Sequence, residues 1–404
     1  MSSVRPWPAI AEIIKIHQSD LPRNLTPVIV IFLCMSRCCT AQVKRGNEAM
    51  ESRFVLRVKA AWWRVGQRAG MALHRFANPV PPVHAEKHSI KSTLSRHEGN
   101  IDIYIYTPKD YQQRRSDGQR FPLLVNFHGG GFTLGCGTDD CRWFGAVLEM
   151  TDAVIATVDY RLAPEYPFPT AVEDGADAVL WLISKAHDLA VDLGKGIALS
   201  GFSAGANLAF TVPLKLSQLG STDAMRLAAI VSWYPPTNYT ISRPERNKTN
   251  AKPEAGLPTY LTSLFDQSYL HPAGCESDIL VSPALATDEQ LIRALPPDIW
   301  IYTCEYDDLC DEGRIFAERL NELGKRNSVD NPESVPARTL GLPDRGGDGA
   351  RKRVRYNMIP GVPHAWDKAP NPLWVNEIAR ARYHHAVLGL KEVWERSGNE
   401  LTAI

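Results

Sequence analysis

Ser203 stands in Gly201-Phe202-Ser203-Ala204-Gly205, between the apolar run 197–199 and a helix-like segment that starts at Ala204. A serine on a tight strand-to-helix turn holds its hydroxyl above a sheet edge, where it can attack a carbonyl carbon. Gly201 and Gly205 leave strand and helix room to approach one another. Alone the pattern is weak. With Gly at roughly 7% of residues and Ser similar, chance supplies it in about one chain in seven of this length. A nucleophilic serine also needs a base, an acid to orient that base, and donors for a developing oxyanion.

The chain offers a candidate for each. His128-Gly129-Gly130-Gly131 directly follows the apolar run 123–127. Consecutive glycines let backbone N–H groups turn toward a negative oxygen, although a merely flexible loop would read the same. Glu305-Tyr306-Asp307-Asp308-Leu309 follows a strand-like run ending at Cys304. A carboxylate there is well placed to orient an imidazole. Glu305, Asp307, Asp308, Asp311 and Glu312 all compete for that role, against the plainer reading of a solvated acidic turn. Gly361-Val362-Pro363-His364-Ala365-Trp366 places a histidine just after the last strand-like run. A lone histidine is more often structural, but this one completes the order serine, acid, histidine. The stretch from Asp159 to Pro169, Asp-Tyr-Arg-Leu-Ala-Pro-Glu-Tyr-Pro-Phe-Pro, reads as a Pro-stiffened turn with Arg161 as a structural clasp between acids.

The surrounding sequence supplies elements to carry these groups. Residues 101–106 alternate apolar and polar with period two, as a half-buried strand does. Continuous apolar strands are expected at 122–127, 153–158, 197–200, 228–233 and 298–304, and a last strand at 353–358. Helical spacing marks 53–74, 141–150, 170–186, the segment after Ser203, 312–323 and 374–395. Pro213 is expected to kink or end the helix after Ser203. Strands alternating with helices argue an α/β, mostly parallel, doubly wound sheet. Residues 1–95 carry no catalytic pattern and read as an N-terminal cap or lid, with 96–404 as the catalytic domain. Within it, 237–297 breaks the rhythm and reads as a cap insertion with one helix at 260–269. Residues 327–352 lack periodicity and read as a disordered surface loop.

Composition narrows the function. Lys+Arg and Asp+Glu are both 45, so the chain lacks the basic excess that a nucleic-acid partner calls for. The eight cysteines show no Cys-x-x-Cys pairs and no zinc spacing with histidine, which reads as thiols of a reducing compartment. The apolar run 28–35 is shorter than the ~20 residues a membrane span needs. A cytoplasmic location without stable membrane insertion is expected, with membrane-surface association through 28–35 as the sharper alternative. Asn24, Asn238 and Asn247 open Asn-x-Thr sequons that matter only in a secreted protein.

Taken together and in this order, His-Gly-Gly-Gly, Asp-Tyr-Arg-Leu-Ala-Pro-Glu-x-Pro-Phe-Pro, Gly-x-Ser-Ala-Gly and Glu-Tyr-Asp-x-Leu-x-Asp-Glu-Gly closely resemble the hormone-sensitive-lipase-like family of α/β-hydrolases. That family includes carboxylesterases and arylacetamide deacetylases. The resemblance covers residues 100–325 and 353–395. It implies an α/β-hydrolase fold with a helical cap, Ser203 as nucleophile, Asp307 as orienting acid and His364 as general base. Gly130, Gly131 and Ala204 would donate to the oxyanion, with His128 and Gly129 shaping the loop and Gly201 and Gly205 the elbow. Three departures stand out. Phe202 occupies a position where many members carry Asp or Thr. Asp308 replaces a usual Pro, leaving Asp307 and Asp308 adjacent. The stretch between Asp307 and His364 is lengthened. The implied reaction is serine carboxylic-ester hydrolysis through an acyl-enzyme, with no cofactor and no metal. Six aromatics assigned to the cap region, Trp62, Trp63, Trp233, Tyr234, Tyr260 and Phe265, suit short-to-medium, apolar or aromatic esters, secondary-metabolite esters or lactones among them. Acyl transfer in the same site and a non-catalytic receptor of the same fold are the alternatives. A homodimer is possible.

Overall fold

The computed structural model describes residues 51–72, 82–221, 226–326, 352–368 and 376–402, all within the unit Glu51–Ile404. Residues 28–35, the Asn24 sequon and the stretch 327–351 lie outside the described residues. Helix α1 (Arg53–Ala72) comes first, followed by strands β1 (Glu86–Lys91) and β2 (Asn100–Tyr106) and helix α2 (Tyr111–Ser116). Next come β3 (Leu123–Phe127), α3 (Cys141–Met150), β4 (Val154–Asp159), α4 (Thr170–Ser184), β5 (Ile197–Phe202) and α5 (Ala204–Gln218). Strand β6 (Leu227–Trp233) leads into α6 (Arg243–Thr249), α7 (Thr259–Tyr269) and α8 (Asp288–Ala294). The chain closes with β7 (Asp298–Tyr306), α9 (Cys310–Arg326), β8 (Arg353–Pro363) and α10 (Asn376–Thr402).

The strands form one sheet in the order β1-β2-β4-β3-β5-β6-β7-β8. β2 pairs antiparallel with both β1 and β4, and every pairing from β4 through β8 is parallel. This is the expected α/β-hydrolase sheet. Central strands β3 and β5 are buried at every residue, which is why they read as continuous apolar runs. One face of the sheet packs against α4, α5 and α9 through Val172, Leu208, Phe210, Phe316 and Leu320. The other packs against α3 and α10 through Trp143, Phe144, Tyr383, Leu390 and Trp394.

Four features differ from the sequence reading. β1 lies inside the stretch read as cap. Its sequence, Glu-Lys-His-Ser-Ile-Lys, buries only Ile90, so an edge strand left no alternating signal. Helices α2, α6 and α8 are six or seven residues long, too short for periodicity to register. α5 runs through Pro213 to Gln218. Losing one helix bond there costs about 3 kcal/mol, and burial outweighs it: Leu208, Phe210, Val212, Leu214 and Leu216 are all buried, each contributing roughly 1.5–3 kcal/mol. Finally, Trp233 and Tyr234 are not cap residues. Both are 1% exposed in the core beneath the sheet's carboxyl edge, and Trp62 is 62% exposed.

α1 and α7 pack together over that edge. Trp63 stacks on Tyr260 at 5.6 Å, and Arg53 donates to the Ser268 carbonyl. Arg64 donates to the carbonyls of Thr133 and Ala163 and to Glu165. At the opposite end of the sheet, α9 finishes against the start of β8. A Cβ on Gly324 would lie 2.2 Å from the Lys352 carbonyl oxygen, and Arg353 pairs in register with Asp298 at the head of β7. Among the described residues no helix is long and apolar enough to cross a membrane.

Candidate active site

β5 delivers Ser203 into a backbone conformation that L-residues seldom adopt, φ 51° and ψ −115°, a strain of order 1–3 kcal/mol. The turn is held by the Ser203 N–H, which donates to Trp233 O at 2.9 Å. It is possible only with glycines on both sides. A Cβ on Gly201 would sit 2.1 Å from Gly205 O, and one on Gly205 would sit 1.9 Å from Phe127 O. The sequence pattern was thus a steric requirement of three strands converging on one turn.

β8 ends at Pro363 and places His364 beside the elbow. His364 Nε2 lies 2.9 Å from Ser203 Oγ, and His364 Nδ1 lies 2.8 Å from Asp307 Oδ2. A carboxylate oxygen can only accept, so Nδ1 carries the proton and Nε2 presents its lone pair to the serine. The other oxygen of Asp307 accepts the Leu309 N–H at 3.1 Å. Asp307 is 3% exposed and His364 8%. Asp308, the adjacent acid, points elsewhere: its Oδ1 accepts from Asn250 and Asn247 side chains at 2.7 and 3.3 Å. The other acids of the loop are also occupied. Glu305 accepts the Gly361 N–H, Asp311 pairs with Arg314, and Glu312 pairs with Arg246.

The glycine loop after β3 is turned by specific bonds. His128 Nδ1 donates to Gly129 O at 2.7 Å, and the ring stacks flat on Tyr160 at 4.2 Å. The Gly130 carbonyl accepts from Thr133 and Leu134 N–H groups at 3.0 and 2.8 Å. In a trans peptide the C=O and N–H point to opposite sides. Engaging the Gly129 and Gly130 carbonyls therefore turns the Gly130 and Gly131 N–H groups the other way. Gly131 has φ +59°, and a Cβ on it would meet the Phe265 ring at 2.2 Å. Phe265 of α7 thereby roofs this loop.

Ser203, His364, Asp307, Gly131 and Ala204 line one narrow cleft, about 470 Å³ when the open solvent at its mouth is counted. Pro236, Tyr239, Leu257, Phe265 and Leu309 supply its apolar walls, with Thr262, Arg243 and Asp308 at the polar side. Arg243 is held by Asp266 through two bonds of 2.8 and 2.6 Å. Of the six aromatics assigned to the cap, Phe265 is the one in this lining. A more open cleft of about 880 Å³ lies at the β1 edge, lined by His88, Asp177 and Trp181. There Asp177 is already consumed by the Thr93 and Leu94 N–H groups, so the smaller cleft is the candidate site. Among the described residues no cluster of His, Cys, Asp and Glu could hold a metal ion.

Arg161 is a clasp, as expected, but its partner is neither flanking acid. It forms a buried pair with Asp174 of α4 at 2.6 Å and donates to Ser92 Oγ at 2.8 Å, tying the β1–β2 loop to α4. The groups that the sequence reading passed over, Asp140, Asp367 and Lys368, lie under the elbow beside Tyr234, which it had assigned to the cap. Tyr234 meets the His364 ring edge-on at 4.7 Å. Their signal was the Asp367-Lys368 pair three residues beyond the candidate histidine.

A fold of this kind with serine, imidazole and carboxylate bonded in series defines a class of hydrolase, and comparison with known proteins agrees. A family model described as alpha/beta hydrolase fold matches residues 124–336. The chain is 31% identical to the esterase LipI of Mycobacterium tuberculosis over 261 residues, 64% of this chain and 76% of that protein. It is 32% identical to an arylesterase of Saccharolobus solfataricus over 256 residues, 61% and 74% of the two chains. An esterase structure from Pyrobaculum calidifontis superposes with a TM-score of 0.62 at 26% identity, covering 89% of this chain and 97% of that one. The chain belongs to the hormone-sensitive-lipase-like family of α/β-hydrolases and is a carboxylesterase-type hydrolase.

Proposed function

We propose that this enzyme hydrolyses short-to-medium acyl esters of apolar or aromatic alcohols through a Ser203 acyl-enzyme. The observation that carries the reading is the bonded series Ser203 Oγ, His364 Nε2, His364 Nδ1, Asp307 Oδ2 at 2.9 and 2.8 Å. His364 takes the serine proton as Oγ attacks the ester carbonyl, then returns it to the leaving alcohol. The same imidazole activates water to release the acid. Asp307 fixes the tautomer and stabilises the imidazolium, and the N–H groups of Gly130, Gly131 and Ala204 receive the oxyanion. Helix α1 and the 237–297 insertion act as the cap. Phe265 roofing the loop, together with the walls from Tyr239, Leu257 and Leu309, supports a modest apolar acyl group over a long chain. Turnover of p-nitrophenyl acetate and butyrate by wild type and Ser203→Ala tests the assignment. Equal rates from both, or no covalent labelling of Ser203 by a fluorophosphonate, would defeat it.

A further inference from the structure

Directly beneath the elbow lies an ionic cluster that the mechanism above does not use. Lys368 follows His364 by four residues and is tied back by its own N–H to Ala365 O at 3.0 Å. Its ammonium lies 2.7 Å from Asp140 Oδ1 and 3.2 Å from Asp367 Oδ2. It also lies 3.4 Å from the centroid of the Phe202 ring, well inside the ~6 Å reach of a cation–π contact. Both aspartates are 1% exposed.

Each neighbour of Lys368 leads to a different part of the candidate site. Phe202 is the residue before Ser203, and its ring stacks on Trp233 at 5.6 Å. Asp140 accepts from Asn126 of β3 at 2.8 Å, and Asn126 accepts from Ser200 of β5 at 2.7 Å. That arm joins the strand of the glycine loop to the strand of the nucleophile. Asp367 accepts from Tyr234 at 2.6 Å and from Tyr383 of α10 at 2.5 Å. Tyr234 in turn packs edge-on against His364. Burial alone would lower the Lys368 pKa, but the two carboxylates raise it above its ordinary value. Burial alone would raise that of Asp367, but Lys368 and the two tyrosine hydroxyls hold it below the usual range. Both groups are therefore charged.

We propose that Lys368 is a positioning residue: one cation, shared by Asp140, Asp367 and the face of Phe202, holds the His364 loop in register with the nucleophile strand and the glycine-loop strand. The geometry fits this because Asp140, ahead of α3, and Phe202, at the end of β5, reach one side chain in the loop that carries the base, while Asp367 of that same loop ties it onward to Tyr234 and Tyr383. Phe202, the least typical residue of the elbow, then has a purpose. Its ring offers the ammonium a face where a small polar side chain would not. The inference rests on the proposed roles of Ser203 and His364.

The test compares Lys368→Met and Lys368→Arg with wild type on p-nitrophenyl acetate, well below each variant's thermal midpoint. Misplacing a base by about 1 Å costs on the order of 10²-fold. Lys368→Met should therefore lose about 10²-fold in kcat with KM within about threefold, and its fluorophosphonate labelling of Ser203 should slow in parallel. Lys368→Arg, which keeps the cation, should recover at least about tenfold of that loss. A folded Lys368→Met with kcat within about threefold of wild type would show a purely stabilising cluster and overturn the proposal. Failure of Lys368→Arg to recover activity would do the same, since the charge would then not be the acting property. Should Lys368→Met not fold, Phe202→Leu decides: a fivefold to tenfold fall in kcat (about 1 kcal/mol of lost cation–π contact) supports the role, and an unchanged kcat removes it. If wild type itself neither turns over ester nor labels at Ser203, both readings fall; an active wild type with an indifferent Lys368→Met sinks only this one.

Discussion

Replacing Asp307 by Asn is the sharpest perturbation of the proposed site. The substitution is nearly isosteric, and the Leu309 N–H at 3.1 Å can still be satisfied by the amide oxygen. That choice leaves the amide NH₂ facing His364 Nδ1, where the carboxylate oxygen sat at 2.8 Å. The NH₂ can only donate, so Nδ1 must become the acceptor and the ring proton moves to Nε2, which lies 2.9 Å from Ser203 Oγ. A protonated Nε2 cannot take the serine proton. In serine-protease triads of this geometry the same change costs about 10⁴ in kcat, or about 5 kcal/mol of barrier. Asp308→Asn instead weakens hydrogen bonds to Asn247 and Asn250, worth about 0.5–1.5 kcal/mol each and remote from the proton path. Its kcat should stay within about tenfold of wild type. Steady-state kinetics on p-nitrophenyl butyrate measure both. Asp307→Asn retaining kcat within tenfold, or Asp308→Asn being the worse of the two, would refute the assignment of the acid.

Phe265→Ala should open the roof over Gly131 and shift preference toward longer acyl chains, raising the octanoate-to-acetate ratio of kcat/KM by roughly tenfold. An unchanged chain-length profile would remove Phe265 from the acyl pocket. Arg161→Met leaves Asp174 buried without its cation, so urea unfolding should report a loss of about 3–5 kcal/mol; undiminished stability would show that the clasp is dispensable. Asp139, which accepts from Gln67 of α1 at 2.9 Å, is pushed up to about 7 by burial and by the neighbouring Asp140 charge. Its folded pKa lies above the unfolded value, so the native state holds a proton that the unfolded chain releases. This contribution to stability is present at low pH and lost as pH rises through about 7. Asp139→Asn should flatten that decline in thermal midpoint between pH 4 and 7, and a decline identical to wild type would contradict it.

The sheet was legible because its central strands are buried on both faces and flanked by helices of ordinary length. What escaped was short, polar or at an edge. β1 buries one residue of six, and the small helices of the 237–297 insertion are fixed by side-chain bonds that periodicity does not record. Ser203 was readable from the local steric demands of an elbow, and His364 from its place after the last strand in the order serine, acid, histidine. Asp307 was not separable from Asp308 by residue type, since both are aspartates after the same strand. The motif register of the family resemblance pointed to Asp307, and the carboxylate directions agree with it, one toward the imidazole and one toward Asn250. The aromatic count misled for the same reason. Tryptophan and tyrosine serve core and cap alike, and Trp233 and Tyr234 proved to floor the site.

The contact of α9 with the start of β8 bears on how this chain can change over evolutionary time. Gly324 touches Lys352, so the last turns of α9 and the start of β8 meet at almost the same point. That point lies at the Asp298–Arg353 end of the two strands, whereas Asp307 and His364 extend from the other. Closing a longer loop between fixed ends adds only about 0.6 kcal/mol per doubling of length. The carboxylate and the imidazole are held together by β7 and β8 themselves, paired in parallel from Asp298–Arg353 onward. With the two ends of the junction fixed side by side, the spacing on which the chemistry depends is set by the pairing of β7 with β8 and not by the number of residues that separate them in the chain.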